Sequence, residues 1–536
     1  MPHVVTQSCC GDASCVYACP VNCIHPTPDE PDFGTAEMLY IDPNTCVDCG
    51  ACVTACPVGA ISAAHRLDDE QLRFLDVNAA MYGATQAAGS GDVLGLTPAR
   101  FPVDPGRRAP LAPIRHPGAL QVAGRVSVAI VGSGPSAMYA ADDLLRYPQV
   151  SVTMYERLDR PFGLARFGVA PDHRGTRGVM ALFDDIAGHP RLEIRLNTEV
   201  GRDITLDELR REHAAVIWAG GAPTDRPLPI EGATAHGVIS ATSLVGWYND
   251  HPDFAGLDVD LSGPEVIIIG NGNVAFDVAR ILVADPEKLA DTSIAPHALA
   301  ALRASQVQRV TVLGRRGPEH AAFTLPELIG LIDGGVAVAV DAAELPDPAT
   351  IGDATTRAKI ALLAEVATRP APTDRHIRLR FGHNPLRIVE SVGRARGVVV
   401  EIGGAASEDV PSEDAPGRQV SLDAGLVLTA IGYRGRPVAG LPFDHEAGVV
   451  PHRAGRVVAA HSDDRATGDA APLPGMYVTG WIKRGPSGFI GTNKTDSAET
   501  VRSLLDDLET GSRASAGHTA GSARSWRTLL PTPLRR

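Results

Sequence analysis

All nine cysteines of this 536-residue chain lie in its first 56 residues. A secreted fold stapled by disulfides would spread its cysteines and use an even number of them. The chain opens without a basic segment and apolar leader, so such crowding points to metal instead. The same stretch is acidic. Asp12, Asp29, Glu30, Asp32, Glu37, Asp42 and Asp48 precede the first basic residue, Arg66, and supply half of the formal net charge of −14. That charge argues against a nucleic-acid partner. No apolar run approaches the length of a membrane span, so no membrane association is expected, and a cytoplasmic location is.

The spacing sharpens the expectation. Cys46, Cys49, Cys52 and Cys56 follow one another at intervals of three, three and four, with Pro57 after the last. The same ruler laid on the start of the chain finds Cys9, Asp12, Cys15, Cys19 and Pro20. This internal repeat, with Asp12 in place of one cysteine, resembles bacterial two-cluster ferredoxins, in which the fourth ligand crosses to the other cluster. One 4Fe-4S cluster is therefore expected on Cys46, Cys49, Cys52 and Cys19. A second is expected on Cys9, Cys15 and Cys56, with Asp12 facing its fourth iron. Three thiolates and a hard oxygen hold that iron weakly, so 3Fe-4S is preferred and a second 4Fe-4S is the alternative. Cys10 and Cys23 fall outside the repeats and read as bystanders. Zinc needs only four ligands and not this triple-plus-one pattern.

Residues 1–65 thus form a small α+β module. From 66 to 123 the chain starts with a short helical stretch and then becomes rich in proline, which reads as a linker. From Arg125 onward short apolar runs alternate with helical segments, as in parallel α/β sheets. They include Ser127–Val131, Ser151–Tyr155, Ala215–Trp218, Glu265–Ile269 and Val310–Leu313. Residues 511–536 read as a flexible basic tail.

Two of those runs end in glycine turns. Gly132, Gly134 and the small residue Ala137 form a G-x-G-x-x-A turn, and Glu156 follows at the end of the next strand. This is a dinucleotide turn whose acid suits a ribose diol and repels a 2′-phosphate. Gly270, Gly272 and Ala275 repeat the pattern, but here the next strand ends in Arg315 and Arg316. Two guanidiniums suit the 2′-phosphate of NADP. The interval to them is longer than usual, and inserted helix between Asp285 and Ser305 is expected to fill it.

Phe162–His173 (FGLARFGVAPDH) and Gly480–Thr492 (GWIKRGPSGFIGT) are similar to the adrenodoxin-reductase-type ferredoxin–NADP reductases. The resemblance implies a FAD domain over 125–224 and 442–510 and an NADP domain over 225–441, both Rossmann-like. It implies that Ser136, Glu156, Leu164, Val200, Trp481, Gly488, Phe489 and Ile490 surround FAD. It places NADP on Asn271, Gly272, Asn273, Val274, Arg315 and Arg316, with Glu327 on the nicotinamide side and His173 as the catalytic group beside the flavin. The implied activity is electron exchange between NADPH and FAD, and then the clusters or a separate ferredoxin as downstream acceptor. An electron-input module like the glutamate synthase small subunit is the alternative. The acidic module is expected to dock on a basic face of the reductase.

Overall fold

A computed structural model of the chain describes residues 2–82, 120–122, 124–403, 417–459 and 471–511. The proline-rich part of the expected linker and all of the expected tail after Gly511 lie outside the described residues.

The apolar runs form strands, most of them buried on both faces, as their continuous β-branched sequence requires. Val126–Val131 lies inside a seven-stranded sheet, flanked on one side by Val150–Tyr155 and Leu192–Arg195 and on the other by Ala215–Trp218 and Pro472–Val478. These strands are parallel. Arg456–Val458 and His452–Arg453 extend the far edge in antiparallel pairing. A second, six-stranded parallel sheet runs in the order Val238–Ser240, Leu426–Thr429, Glu265–Ile269, Arg309–Leu313, His376–Arg380, Val338–Val340. The first sheet is therefore assembled from two stretches of chain that enclose the second. Helices Pro286–Ala290 and Pro296–Ala304 occupy the interval before Arg309–Leu313, which is why Arg315 stands so far from Gly270 in sequence.

In the module, His3–Val5 pairs with Ile61–Ala63 and Ile24–His25 with Tyr40–Ile41, both antiparallel. The cysteine repeat is also a backbone repeat. Gly11 and Ala13 have φ of +67° and +60°, and their counterparts Asp48 and Gly50 have +56° and +72°. Each pair leads into a short helix, Ser14–Ala18 or Ala51–Ala55, that ends at an extended cysteine, Cys19 or Cys56.

The module does not end at His65. Helix Arg73–Ala80 packs back on it through buried Phe74 and Val77. Within that helix the Asn78 carboxamide accepts the N–H groups of Val5 (3.2 Å) and Ile41 (3.0 Å) and donates to Val5 O (2.9 Å). One side chain thus ties both strand pairs together, and residues 66–82 belong to the module rather than to a linker. One continuous apolar cluster runs from Val5, Ile24 and Ile41 of the module to Val266, Phe323 and Leu328 of the second sheet's domain. The module is packed on the second sheet's domain.

Candidate functional site

The first glycine turn is sterically fixed. Gly132 has φ +100°, and a Cβ there would lie 2.6 Å from the Ala219 carbonyl oxygen. The space beside Gly134 is open, with nothing within 4 Å of where a Cβ would stand. Helix Pro135–Leu145 starts there, its first N–H groups facing that space, an arrangement that suits an anion. Glu156 is buried at the end of Val150–Tyr155. It accepts the Ser133 N–H (3.0 Å) and hydroxyl (2.6 Å) and the Leu158 N–H (2.9 Å). A carboxylate accepts about four hydrogen bonds, so capacity remains for a ribose hydroxyl.

Ser136 reaches across to Asn493 (2.7 Å), and Gly480 must be glycine because a Cβ would collide with the Ser136 hydroxyl. Leu164 stays exposed despite its apolar side chain, while Val200 is buried in one cluster with Val131, Tyr155 and Trp218. Trp481 leans on Tyr433 with ring centroids 5.2 Å apart, and Gly488 (φ +81°), Phe489 and Ile490 form the turn before helix Thr492–Thr510. An exposed leucine, an open glycine face and a tryptophan fit a flat aromatic ring system.

The second turn repeats the logic. Gly270 has φ +112°, and a Cβ would collide with the Ala430 carbonyl. Gly272 begins helix Asn273–Val283, with Val274 in its first turn. The Asn271 carboxamide accepts the Ala322 N–H (3.4 Å), and that of Asn273 accepts the Thr324 N–H (2.9 Å). Strand Arg309–Leu313 lies directly beside Glu265–Ile269, so Arg315 and Arg316 emerge next to this turn. Both arginines are exposed, and neither guanidinium has a hydrogen-bond or ion-pair partner among the described residues. Free guanidiniums beside a helix N-terminus suit an anion.

Between the two turns lies a half-buried polar cluster, of which the sequence indicates only a part. His173 Nε2 stands 3.7 Å from Glu327 Oε1 and 3.7 Å from Asp277 Oδ1. Arg280 donates to His173 Nε2 (2.7 Å) and Asp277 (2.8 Å) and pairs with Asp172 (3.1 Å). Burial and the Arg280 charge push the His173 pKa down, so this ring is a neutral acceptor. Burial pushes Asp277 up, and burial with the Asp277 charge pushes Glu327 up. Asp277 and Arg280 were not anticipated. Their only sequence signal is the i, i+3 acid–base pair one turn beyond the glycine turn.

Cys19, Cys46, Cys49 and Cys52 line one cavity of the module. Cys23 lines it too, with its Sγ 3.5 Å from that of Cys19, so it is no bystander in space. Its thiol holds the Cys46 pKa down to about 5. Cys9, Cys15 and Cys56 gather at the other motif around Asp12, and burial pushes the Cys9 thiol up to about 11. Crowded soft donors without a basic residue in either loop fit iron–sulfur ligation.

Asp12 does not present a free carboxylate. It is 5% exposed, pairs with Lys494 of helix Thr492–Thr510 (3.2 Å) and accepts the Ser14 hydroxyl. Beside it, the Gly491 N–H donates to the Cys10 carbonyl (2.7 Å). A Cβ on Gly491 would collide with the backbone of Gly11 and Asp12. Loop 10–12 thus lies directly on the turn that carries Gly488–Ile490. The expected basic docking face is only half present. Asp12 and Glu37 meet Lys494 and Lys359, but Arg73 of the module meets Asp333 and Glu365 with the signs reversed.

Family models match at residues 39–62, as a 4Fe-4S binding domain, and at 130–191, as an NAD(P)-binding Rossmann-like domain. Together with the packed module, these define an iron–sulfur domain fused to a two-Rossmann oxidoreductase. The chain belongs to the ferredoxin/ferredoxin–NADP reductase family. A Mycobacterium bovis protein named "probable ferredoxin/ferredoxin–NADP reductase" is 52% identical over 524 residues, covering 95% of this chain and 84% of the relative. Human mitochondrial NADPH:adrenodoxin oxidoreductase is 40% identical over 401 residues, covering 72% and 79%. The solved structure of Mycobacterium tuberculosis FprA in complex with NADPH matches with a TM-score of 0.65 at 40% identity, covering 72% of this chain and 85% of that one. Similarity across both module and reductase decides for the fused reductase over the electron-input subunit. Among the described residues no helix is long and apolar enough to cross a membrane.

Proposed function

We propose that this chain is a ferredoxin–NADP(+) oxidoreductase that exchanges electrons between NADPH and the iron–sulfur centres of its own module, or a separate ferredoxin, by way of FAD. One observation carries this reading most directly. Module loop 10–12 is hydrogen-bonded to the Gly488–Thr492 turn, on the same body as both dinucleotide turns. Bound FAD supplies the exchange between hydride pairs and single electrons, and iron–sulfur centres carry electrons singly.

The chain's own groups hold and orient. Gly132, Gly134 and Ser136 would seat the FAD pyrophosphate and Glu156 its ribose. Leu164, Val200, Trp481, Gly488, Phe489 and Ile490 would enclose the ring region. Asn271, Gly272, Asn273 and Val274 would take the NADP pyrophosphate and Arg315 and Arg316 its 2′-phosphate. Glu327 would border the nicotinamide, and neutral His173 would stand beside the flavin with Arg280 fixing its ring. Holding two reacting rings in register is the main catalytic contribution.

In the module, Cys19, Cys46, Cys49 and Cys52 would hold a 4Fe-4S centre. Cys9, Cys15 and Cys56 would hold a 3Fe-4S centre, because Lys494 and Ser14 already engage the Asp12 carboxylate. Anaerobic titration of the holoprotein with NADPH, following flavin absorbance and cluster EPR together, is the test. Flavin bleaching followed by cluster reduction is expected. Clusters that stay oxidised in excess NADPH would refute the reading.

A further inference from the structure

Helix Leu325–Asp333, which carries Glu327, is gripped along its length by the iron–sulfur module. At its N-terminus the Glu37 carboxylate accepts the Leu325 N–H (2.7 Å) and pairs with Lys359 (2.6 Å). The Lys359 ammonium also donates to the Phe323 carbonyl (2.9 Å). Near the middle, the Gln7 carboxamide donates to Glu327 Oε2 (3.4 Å). It lies over Gly330, where a Cβ would collide with it. At the C-terminus Arg73 pairs with Asp333 (2.8 Å) and forks onto Glu365 of helix Ala354–Ala367 (3.1 Å to each oxygen). The carboxylate at the helix start and the cation at its end both complement the helix dipole.

These contacts are not required to bring the cysteine loops to the flavin-side turn. Gly491 and Lys494 do that from the other nucleotide domain. Three module residues, Gln7, Glu37 and Arg73, instead converge on one helix of the second sheet's domain. What that helix presents to the site is Glu327, facing His173, Asp172, Asp277 and Arg280.

We propose that the docked iron–sulfur module is a structural part of the nicotinamide site: it fixes helix Leu325–Asp333 and orients Glu327 through Gln7, so that module docking and binding of the nicotinamide end of NADP(H) are linked. The inference rests on the assignment of Glu327 to the nicotinamide side. Linkage is reciprocal, so bound NADP(H) tightens the docked module by the factor that docking tightens the nucleotide. Gln7, Glu37 and Arg73 are positioning residues.

Gly330→Ala is the cleanest variant. Alanine is a better helix former than glycine, so the helix persists while the new methyl displaces Gln7. Gln7→Leu and Arg73→Glu probe the same grip, with Arg73→Lys as the conservative control. Calorimetric titration of the oxidised holoproteins with NADP+ and with 2′,5′-ADP separates the two ends of the nucleotide. NADP+ affinity is expected to fall about fivefold, with 2′,5′-ADP binding and the cluster EPR spectra of Gly330→Ala unchanged. The Gln7 hydrogen bond favours the Glu327 carboxylate. Its loss should therefore raise the pH midpoint that Glu327 sets on NADPH-to-ferricyanide turnover.

Unchanged NADP+ affinity, or equal losses for both nucleotides, overturns the linkage. Glu327→Gln separates this failure from a failure of the site assignment. If that variant alters NADP+ affinity and the pH profile while the grip variants alter neither, only the linkage falls. If it leaves both untouched, the assignment of Glu327 falls with it.

Discussion

The two halves of the cysteine repeat share a backbone and differ in what they face. Each passes through two positive-φ residues into a five-residue helix and leaves it at an extended cysteine. In one half the second ligand position is Cys49, exposed and neighboured by Val47 at 57% and Val53 at 38% exposure. In the other half the equivalent position is Asp12, buried under helix Thr492–Thr510 and paired with Lys494. Position two is open to solvent in one copy and covered by the reductase in the other. A thiol there could not grip a lysine on the facing surface, whereas a carboxylate can. The residue that departs from the cysteine pattern is therefore also one of those that hold the module on the facing helix.

If facing decides role, the Asp12 half receives electrons first and the Cys49 half releases them. The largest effect should come from removing one centre at a time. Cys15→Ala is expected to bring NADPH-driven reduction of the Cys49-side cluster to background, while reduction of ferricyanide at the flavin persists. Cys52→Ala should leave the Asp12-side cluster reducible by NADPH. Low-temperature EPR after NADPH, with dithionite as the control that each remaining cluster is intact, reads both outcomes. The reverse pattern would invert the comparison.

A smaller but sharper change makes the halves alike. Asp12→Cys supplies the missing thiolate, and iron analysis should show one more iron per chain, with loss of the oxidised 3Fe EPR signal. Unchanged iron content would mean that pocket shape, rather than the residue at position 12, sets cluster type.

Much of this was readable from local pattern. The runs at 127–131, 151–155, 215–218, 265–269 and 310–313 appear as strands displaced by a residue at most, because buried parallel strands carry their signal in consecutive residues. The cysteine spacing is likewise local. What stayed hidden is long-range. Gln7 meets Glu327 across 320 positions and Arg73 meets Glu365 across 292, and no periodicity encodes such pairings. Helix Arg73–Ala80 reads as the start of the linker because a proline-rich tract follows it. The residue that binds it to the module is a polar one, Asn78. Nothing in the sequence around Lys494 marks it as the partner of Asp12, which only the fold brings to it.

The smallest effect tests that contact itself. Removing one partner of a buried ion pair costs roughly 3–5 kcal/mol, but the Lys494 side chain is 28% exposed and solvent screens the pair. Lys494→Met should therefore cost about 1–2 kcal/mol, read from the urea midpoint at which cluster absorbance is lost. Asp12→Asn should cost a similar amount, and the double variant less than the sum, with a coupling of about 1 kcal/mol. The cycle discriminates because an aspartate that served iron alone would show no coupling to a lysine on another domain. Asp12→Asn would then change the EPR spectrum equally with or without Lys494. Strict additivity would leave the two halves of the repeat different in chemistry but not in docking.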